Sequence, residues 1–242
     1  MRKYAVLRVS VSALVLLAAS AVLFAAISAD AVRLVTANLD KQNGLPTVIL
    51  DAGHGGEDGG AVGINGALEK DINLSIALKT AKILADNGLS VKLIRDTDVS
   101  VGDPSLSTVA ERKRSDIKSR VQAVNATENC ILVSIHQNKF EQTQYSGAQM
   151  FYSPNDPGSA LLAECIRCEV VSRIQPENHR ENKSAESGIY LLKNVHVPAV
   201  IVECGFLSNP GEEARLRTEE YQKKIACVIA STLSGLDWQT IV

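Results

Sequence analysis

Charge of one sign is what this chain most conspicuously lacks. Its 25 Lys and Arg against 27 Asp and Glu leave a formal net charge of −2, and neither sign gathers into a run. An electrostatic grip on nucleic acid needs a basic patch or stripe, so a nucleic-acid partner is excluded. Cysteine is sparse and odd in number, with Cys130, Cys165, Cys168, Cys204 and Cys227 spread through apolar segments. That pattern is not a dense disulfide framework, and thiols packed as small hydrophobes are the default reading. Cys165 and Cys168 form a C-x-x-C with no second pair nearby, so they are read as structural. There is no low-complexity tract and no internal repeat, which rules out a repeat array.

Long apolar runs are also missing, except at the start. Arg2, Lys3 and Arg8 precede a stretch from Val9 to Ala29 whose polar residues are only Ser10, Ser12, Ser20 and Ser28. A basic region followed by an apolar one reads as an export signal. The run is long enough for a bilayer, which takes about 20 apolar residues, and Ala29-Asp30-Ala31 resembles a cleavage site. Residues 1–31 are therefore expected to be a signal peptide, cleaved or kept as a membrane anchor. No cysteine near it offers a site for lipid. Residues 32–46 form a connector. Residues 47–236 are expected to be one catalytic domain, and the hydrophobic fraction of 45% is ordinary for a globular core.

Within that domain, apolar runs at Thr47–Asp51, Val91–Ile94, Cys130–Ile135, Ala148–Tyr152, Gly188–Leu192 and Ala199–Val202 are expected strands. Helical spacing marks Ile72–Leu84, closed by Gly88, and also Val109–Ala126, Ser159–Ile174 and Tyr221–Leu233. Gly53–Gly60 and Pro176–Ser187 are expected loops. The alternation implies a single α/β domain with a largely parallel central sheet flanked by helices. In such sheets ligands sit beyond the carboxyl ends of the strands.

Polar residues stand at those ends. His54 follows the first strand between glycines, Glu69 opens a helix, and His136 follows the apolar run Cys130–Ile135. Two histidines and a carboxylate suffice for a catalytic zinc that keeps one position for water. Glu203 follows four apolar residues, where a carboxylate is costly without a partner or a task. As a general base it would take a proton from water and give it to a leaving amine. Each residue alone has a plainer reading. A histidine after a strand is more often structural, Glu69 suits a helix N-terminus, and Glu203 could be salt-bridged. Spacing alone does not bring them together. His179, in a polar loop, and His196, before Pro198, are read as non-ligands.

Four segments together, Ile49–Gly56, Glu69–Asp71, Ser134–Asn138 and Val202–Asn209, resemble the type-3 zinc N-acetylmuramoyl-L-alanine amidases, and the likeness runs from about Thr47 to Leu236. The resemblance implies one Zn²⁺ per chain on His54, Glu69 and His136, with Glu203 catalytic. It implies peptidoglycan as substrate and leaves room for an accessory protein that activates the enzyme. Ser146–Tyr152, Ile189–Lys193 and the N-terminal segment are most similar to the spore-cortex amidases, which remove stem peptides so that muramic-δ-lactam can form. The expected location is thus the outer face of the cytoplasmic membrane, the wall or the spore cortex. Many members carry a small residue where this chain has Gln137; Gln137 and Asn138 are expected to contact substrate. A zinc peptidase and a non-enzymatic binding domain are the competing readings. Against the latter, all four candidate positions hold competent residues.

Overall fold

The computed structural model describes residues 44–186 and 188–242. The expected export segment, and the connector as far as residue 43, lie outside them. Among the described residues no helix is long and apolar enough to cross a membrane.

Six strands form one sheet: β1 (Thr47–Ala52), β2 (Val91–Leu93), β3 (Cys130–Asn138), β4 (Gln149–Tyr152), β5 (Lys183–Ser184) and β6 (Ala199–Phe206), in the order β2-β1-β3-β6-β4-β5. The β1–β2, β1–β3, β3–β6 and β4–β5 pairs are parallel. β4 runs antiparallel to β6, so the sheet is parallel only in its larger part. The helices are α1 (Glu69–Asp86), α2 (Val109–Asn125), α3 (Gly158–Arg173), α4 (Tyr190–Asn194), α5 (Pro210–Leu216), α6 (Glu219–Ser234) and α7 (Trp238–Ile241).

Both faces of the central strands are covered, which explains their unbroken apolar runs. On one face Leu50, Val133 and Val202 pack with Ile76 of α1, Ile166 of α3 and Ile229 of α6. On the other Ile49, Leu132 and Ile201 pack with Val124 of α2 and Leu191 and Leu192 of α4. α2 starts on a capping box, in which Thr108 accepts from the Glu111 N–H and the Glu111 side chain accepts in return from Thr108.

Several expectations change. Gly188–Leu192 is not a strand, because α4 begins at Tyr190. Leu191 and Leu192 are both buried in one cluster, and two adjacent residues share a stripe on a helix but point to opposite faces on a strand. The expected loop 176–187 contains β5, paired with Phe151 and Tyr152. β3 and β6 run on to Asn138 and Phe206, so His136 and Glu203 lie within strands rather than after them. α5 and α7 have no counterpart in the periodicity. Trp238 and Ile241, beyond residue 236, belong to the larger core cluster.

Candidate metal and catalytic site

The sheet register builds the site. His136 of β3 lies opposite Glu203 of β6, and Glu203 lies opposite Gln149 of β4. Opposite residues in a sheet project to the same face, so the three form a row across the sheet. Gly53 continues that row, its N–H bonded to the Ile135 carbonyl at 3.1 Å. A Cβ on Gly53 would lie 2.1 Å from Cε1 of His136, so only glycine leaves room for that ring. From Gly53 the chain turns into a loop that brings His54 back over the sheet edge, and His54 itself sits at φ +63°. A non-glycine residue there carries backbone strain of order 1–3 kcal/mol.

Two buried arginines hold that loop. Arg120 of α2, 2% exposed, pairs with Asp51 and donates to the carbonyls of Ala52 at 3.0 Å and His54 at 2.7 Å. Arg95 donates to the carbonyls of Ala52 at 2.7 Å, Gly53 at 3.0 Å and Lys70 at 2.8 Å. The last of these ties the loop to the first turn of α1, where Glu69 stands. Asn73, one turn on, donates to the Gly53 carbonyl and to Glu69 Oε1.

So braced, His54, Glu69 and His136 meet. Nε2 of His54 is 3.2 Å from Glu69 Oε2, and Nδ1 of His136 is 2.9 Å from Glu69 Oε1. One ligand atom from each lies within 4.8 Å of the others. Bonds of about 2.0–2.2 Å to one tetrahedral ion bring ligand atoms this close together, so the residues present fit a metal ion. Asp58 Oδ2 sits 2.8 Å from His54 Nδ1, an arrangement that orients an imidazole and leaves Nε2 for a ligand role. Asp58 in turn pairs with Lys113 at 2.8 Å.

The charges follow from these contacts. Burial alone would depress the His54 imidazole, but the hydrogen bonds to Asp58 and Glu69 outweigh it and raise its pKa to about 9. Burial opposes ionisation of Glu69 too, yet the two histidines hold its carboxyl well below the usual range. Glu203 differs. Its Oε2 is shielded from solvent without a hydrogen-bond partner, and burial pushes its pKa up to about 7, the nearby imidazoles only partly offsetting this. A carboxylate poised near neutrality beside a ligand cluster is equipped to move a proton.

Gln137, expected to contact substrate, has its side chain inside the fold and its N–H on Glu69 Oε1 at 3.1 Å. It is 3% exposed and donates to Asn73 Oδ1 at 3.1 Å, so it braces the support of Glu69. The physical reason is strand alternation, which turns Gln137 away from the face carrying His136. Asn138 is partly exposed, its Oδ1 accepting from the Lys139 N–H at 2.8 Å. His179 and His196 are exposed and lie outside the ligand group. Sequence reasoning missed Asp58, Asn73, Arg95 and Arg120. Only Asp58 left a signal, a carboxylate four residues after His54 in the same glycine-rich loop.

A protein-family model described as N-acetylmuramoyl-L-alanine amidase matches residues 48–234. The chain is 37% identical over 182 residues to the germination-specific N-acetylmuramoyl-L-alanine amidase of Bacillus subtilis strain 168, covering 75% of this chain and 76% of that one. Among solved structures, the CwlD amidase from Clostridioides difficile, in complex with the GerS lipoprotein, is similar at 39% identity and a TM-score of 0.74, over 78% of this chain and 96% of that chain. The amidase AmiC2 of Nostoc punctiforme is similar at 30% identity and a TM-score of 0.61, over 78% of this chain and 94% of that chain.

Proposed function

The chain belongs to the N-acetylmuramoyl-L-alanine amidase family, and from that premise we propose a zinc-dependent hydrolase of the amide bond between N-acetylmuramic acid and L-alanine in peptidoglycan. His54, Glu69 and His136 would hold one zinc per chain. A zinc ion so held supplies a Lewis acid for the amide carbonyl and lowers the pKa of water to roughly 7. Glu203 takes the proton of the attacking water and hands it to the L-alanine nitrogen as the carbon–nitrogen bond breaks and the carbon–oxygen bond forms. Asn138, beside the cluster, offers its side-chain amide to the substrate.

The observation that carries this reading is the unpartnered carboxylate of Glu203 on the strand position opposite His136. A shielded carboxylate oxygen with no hydrogen bond is expensive to keep, and a proton-transfer task beside a metal accounts for it. The germination-specific relative and the local similarity in Ser146–Tyr152 and Ile189–Lys193 support work in the spore cortex, where stem-peptide removal precedes muramic-δ-lactam formation. The substrate and the apolar start of the chain support action outside the cytoplasm. The lipoprotein bound to the Clostridioides difficile relative supports an accessory protein. The test is mass spectrometry of peptidoglycan incubated with protein and zinc. New amino termini on L-alanine are expected; freed carboxyl-terminal residues instead would make the enzyme a peptidase.

A further inference from the structure

The row across the sheet does not stop at Glu203. Gln149 lies opposite it on β4, and Gln149 Oε1 accepts from Nη1 of Arg180 at 2.9 Å. Arg180 is fixed from three more sides. Its Nε donates to the Ser146 carbonyl at 2.8 Å. Its guanidinium lies 4.5 Å from the centroid of the buried Phe206 ring, itself stacked on Phe140 at 5.8 Å. Its backbone N–H donates to Oδ1 of the buried Asn178 at 3.0 Å, and Asn178 also donates to the Ala148 carbonyl at the start of β4. Gly147, at φ +90°, makes this possible, since a Cβ there would lie 2.6 Å from Asn178 Oδ1.

A guanidinium held so firmly has a use for its remaining N–H groups. Nη2 makes no hydrogen bond among the described residues, and no carboxylate among them pairs with Arg180. Glu203 is not its partner, since the shielded Oε2 of Glu203 has no hydrogen-bond partner. Arg180 also lines a cleft of about 460 Å³, together with Ser146, Gly147 and Asn178. Of the two carboxylates in that cleft, Glu212 is occupied by the N–H groups of Gly147 and Phe206, and Glu177 is exposed.

We propose that Arg180 binds a carboxylate of the peptide attached through L-alanine, so that the enzyme selects stem peptides bearing a free negative charge near the scissile amide. The proposal rests on the amidase reading above. A planar guanidinium with its outer N–H groups unspent suits a carboxylate, and Gln149 sets it one side chain away from the residue that protonates the leaving nitrogen.

The test compares peptidoglycan with its stem carboxylates free against the same preparation with those groups converted to carboxamides. For the zinc-loaded protein, kcat/KM on the free acid should exceed that on the amidated form roughly 10–100-fold, the worth of a hydrogen bond to a charged group. Arg180→Gln should bring the ratio close to one by raising KM on the free acid, and Arg180→Lys should keep part of the preference. The ratio is taken within each protein, so partial misfolding lowers both rates and leaves it unchanged. A wild-type ratio near one, or an undiminished ratio in Arg180→Gln, overturns the role of Arg180 and leaves the amidase standing. Failure of the wild type to cleave either form overturns the amidase reading, and this proposal with it.

Discussion

A carboxylate whose oxygen is shielded and unbonded is kept for a reason, and Glu203 allows that reason to be tested at the scale of one residue. Glu203→Gln preserves shape and removes the accepting charge. If Glu203 moves protons and does not bind metal, the variant should hold a normal complement of zinc while turnover falls about 10²–10⁴-fold. Zinc stoichiometry and rate measured on one preparation decide this, and loss of metal would make Glu203 a ligand. The pH profile adds a sign. A base works only when deprotonated, so the rate falls as pH drops through its pKa. That value is about 7 without metal, and a divalent cation beside it moves it lower. The acid limb of kcat/KM should therefore lie below neutrality and be absent from the residual rate of the variant. Gly53→Ala probes the other side of the cluster. The new methyl group would meet the His136 ring at 2.1 Å, so the ring must move. Zinc affinity should fall at least about tenfold with the circular dichroism spectrum unchanged; equilibrium dialysis against zinc measures it, and unaltered affinity would remove His136 from the ligand set.

At the scale of elements, the strands and long helices that carry the ligands were legible because their signals are local. Thr47–Asp51 and Cys130–Ile135 announce themselves as apolar runs, and α1 by its spacing and Gly88. The antiparallel direction of β4 was not legible, since an apolar run has no arrow. Nor was α4, because a five-residue apolar run suits either state. The meeting of His54, Glu69 and His136 came from resemblance; the braces that enforce it were invisible, because Arg120 sits in a helix that reads as a solvated charged face and yet is 2% exposed. Its burial makes a prediction. Arg120→Met leaves Asp51, 1% exposed, without its cation, and breaking a buried pair this way costs about 3–5 kcal/mol. Urea denaturation should show that loss at neutral pH. Arg120 together with the Ser134 hydroxyl holds the Asp51 carboxyl below its usual range against the opposing effect of burial. In the wild type the stabilisation is therefore present above the unfolded carboxyl pKa of about 3.9 and is lost only as pH falls through the lower folded value. In the variant only the Ser134 hydrogen bond and the His136 imidazole still oppose burial, so protonation of Asp51 is easier than in the wild type and the gap between the two proteins should narrow as pH falls. Asp51→Asn added to Arg120→Met should recover much of the stability. A gap that stays constant with pH would mean the pair is not its source.

At the scale of the whole molecule, the question is which stretch of chain makes one cooperative unit. Residues 45–242 cluster as one compact unit, and both its faces are closed by helices drawn from across that span. A chain beginning at Ala31 should therefore unfold in a single transition, with far-ultraviolet and tryptophan signals coinciding. Aggregation, or two separate transitions, would mean that the apolar start completes the core. The C-terminal boundary of the unit can be tested in the same way. α7 is only four residues, too short to hold itself together as a helix. It is held by burial, with Trp238 at 9% and Ile241 at 3% exposure, and the α3 N-terminus fits against it so closely that a Cβ on Gly158 would lie 1.9 Å from the Ile241 carbonyl. Ending the chain at Leu236 removes two buried side chains and uncovers the helix they seal. The expected loss is at least about 3 kcal/mol, the lower range for truncating a large core side chain. Zinc binding should survive it under conditions where the shortened chain is folded, because His54, Glu69 and His136 lie on α1, β3 and the loop after β1 rather than on α3 or α7. Urea midpoints for the two lengths, with zinc stoichiometry measured below the transition, separate the effects. A shortened chain as stable as the full one would place the edge of the folding unit at residue 236, and a folded one that has lost its metal would tie the C-terminus to the site.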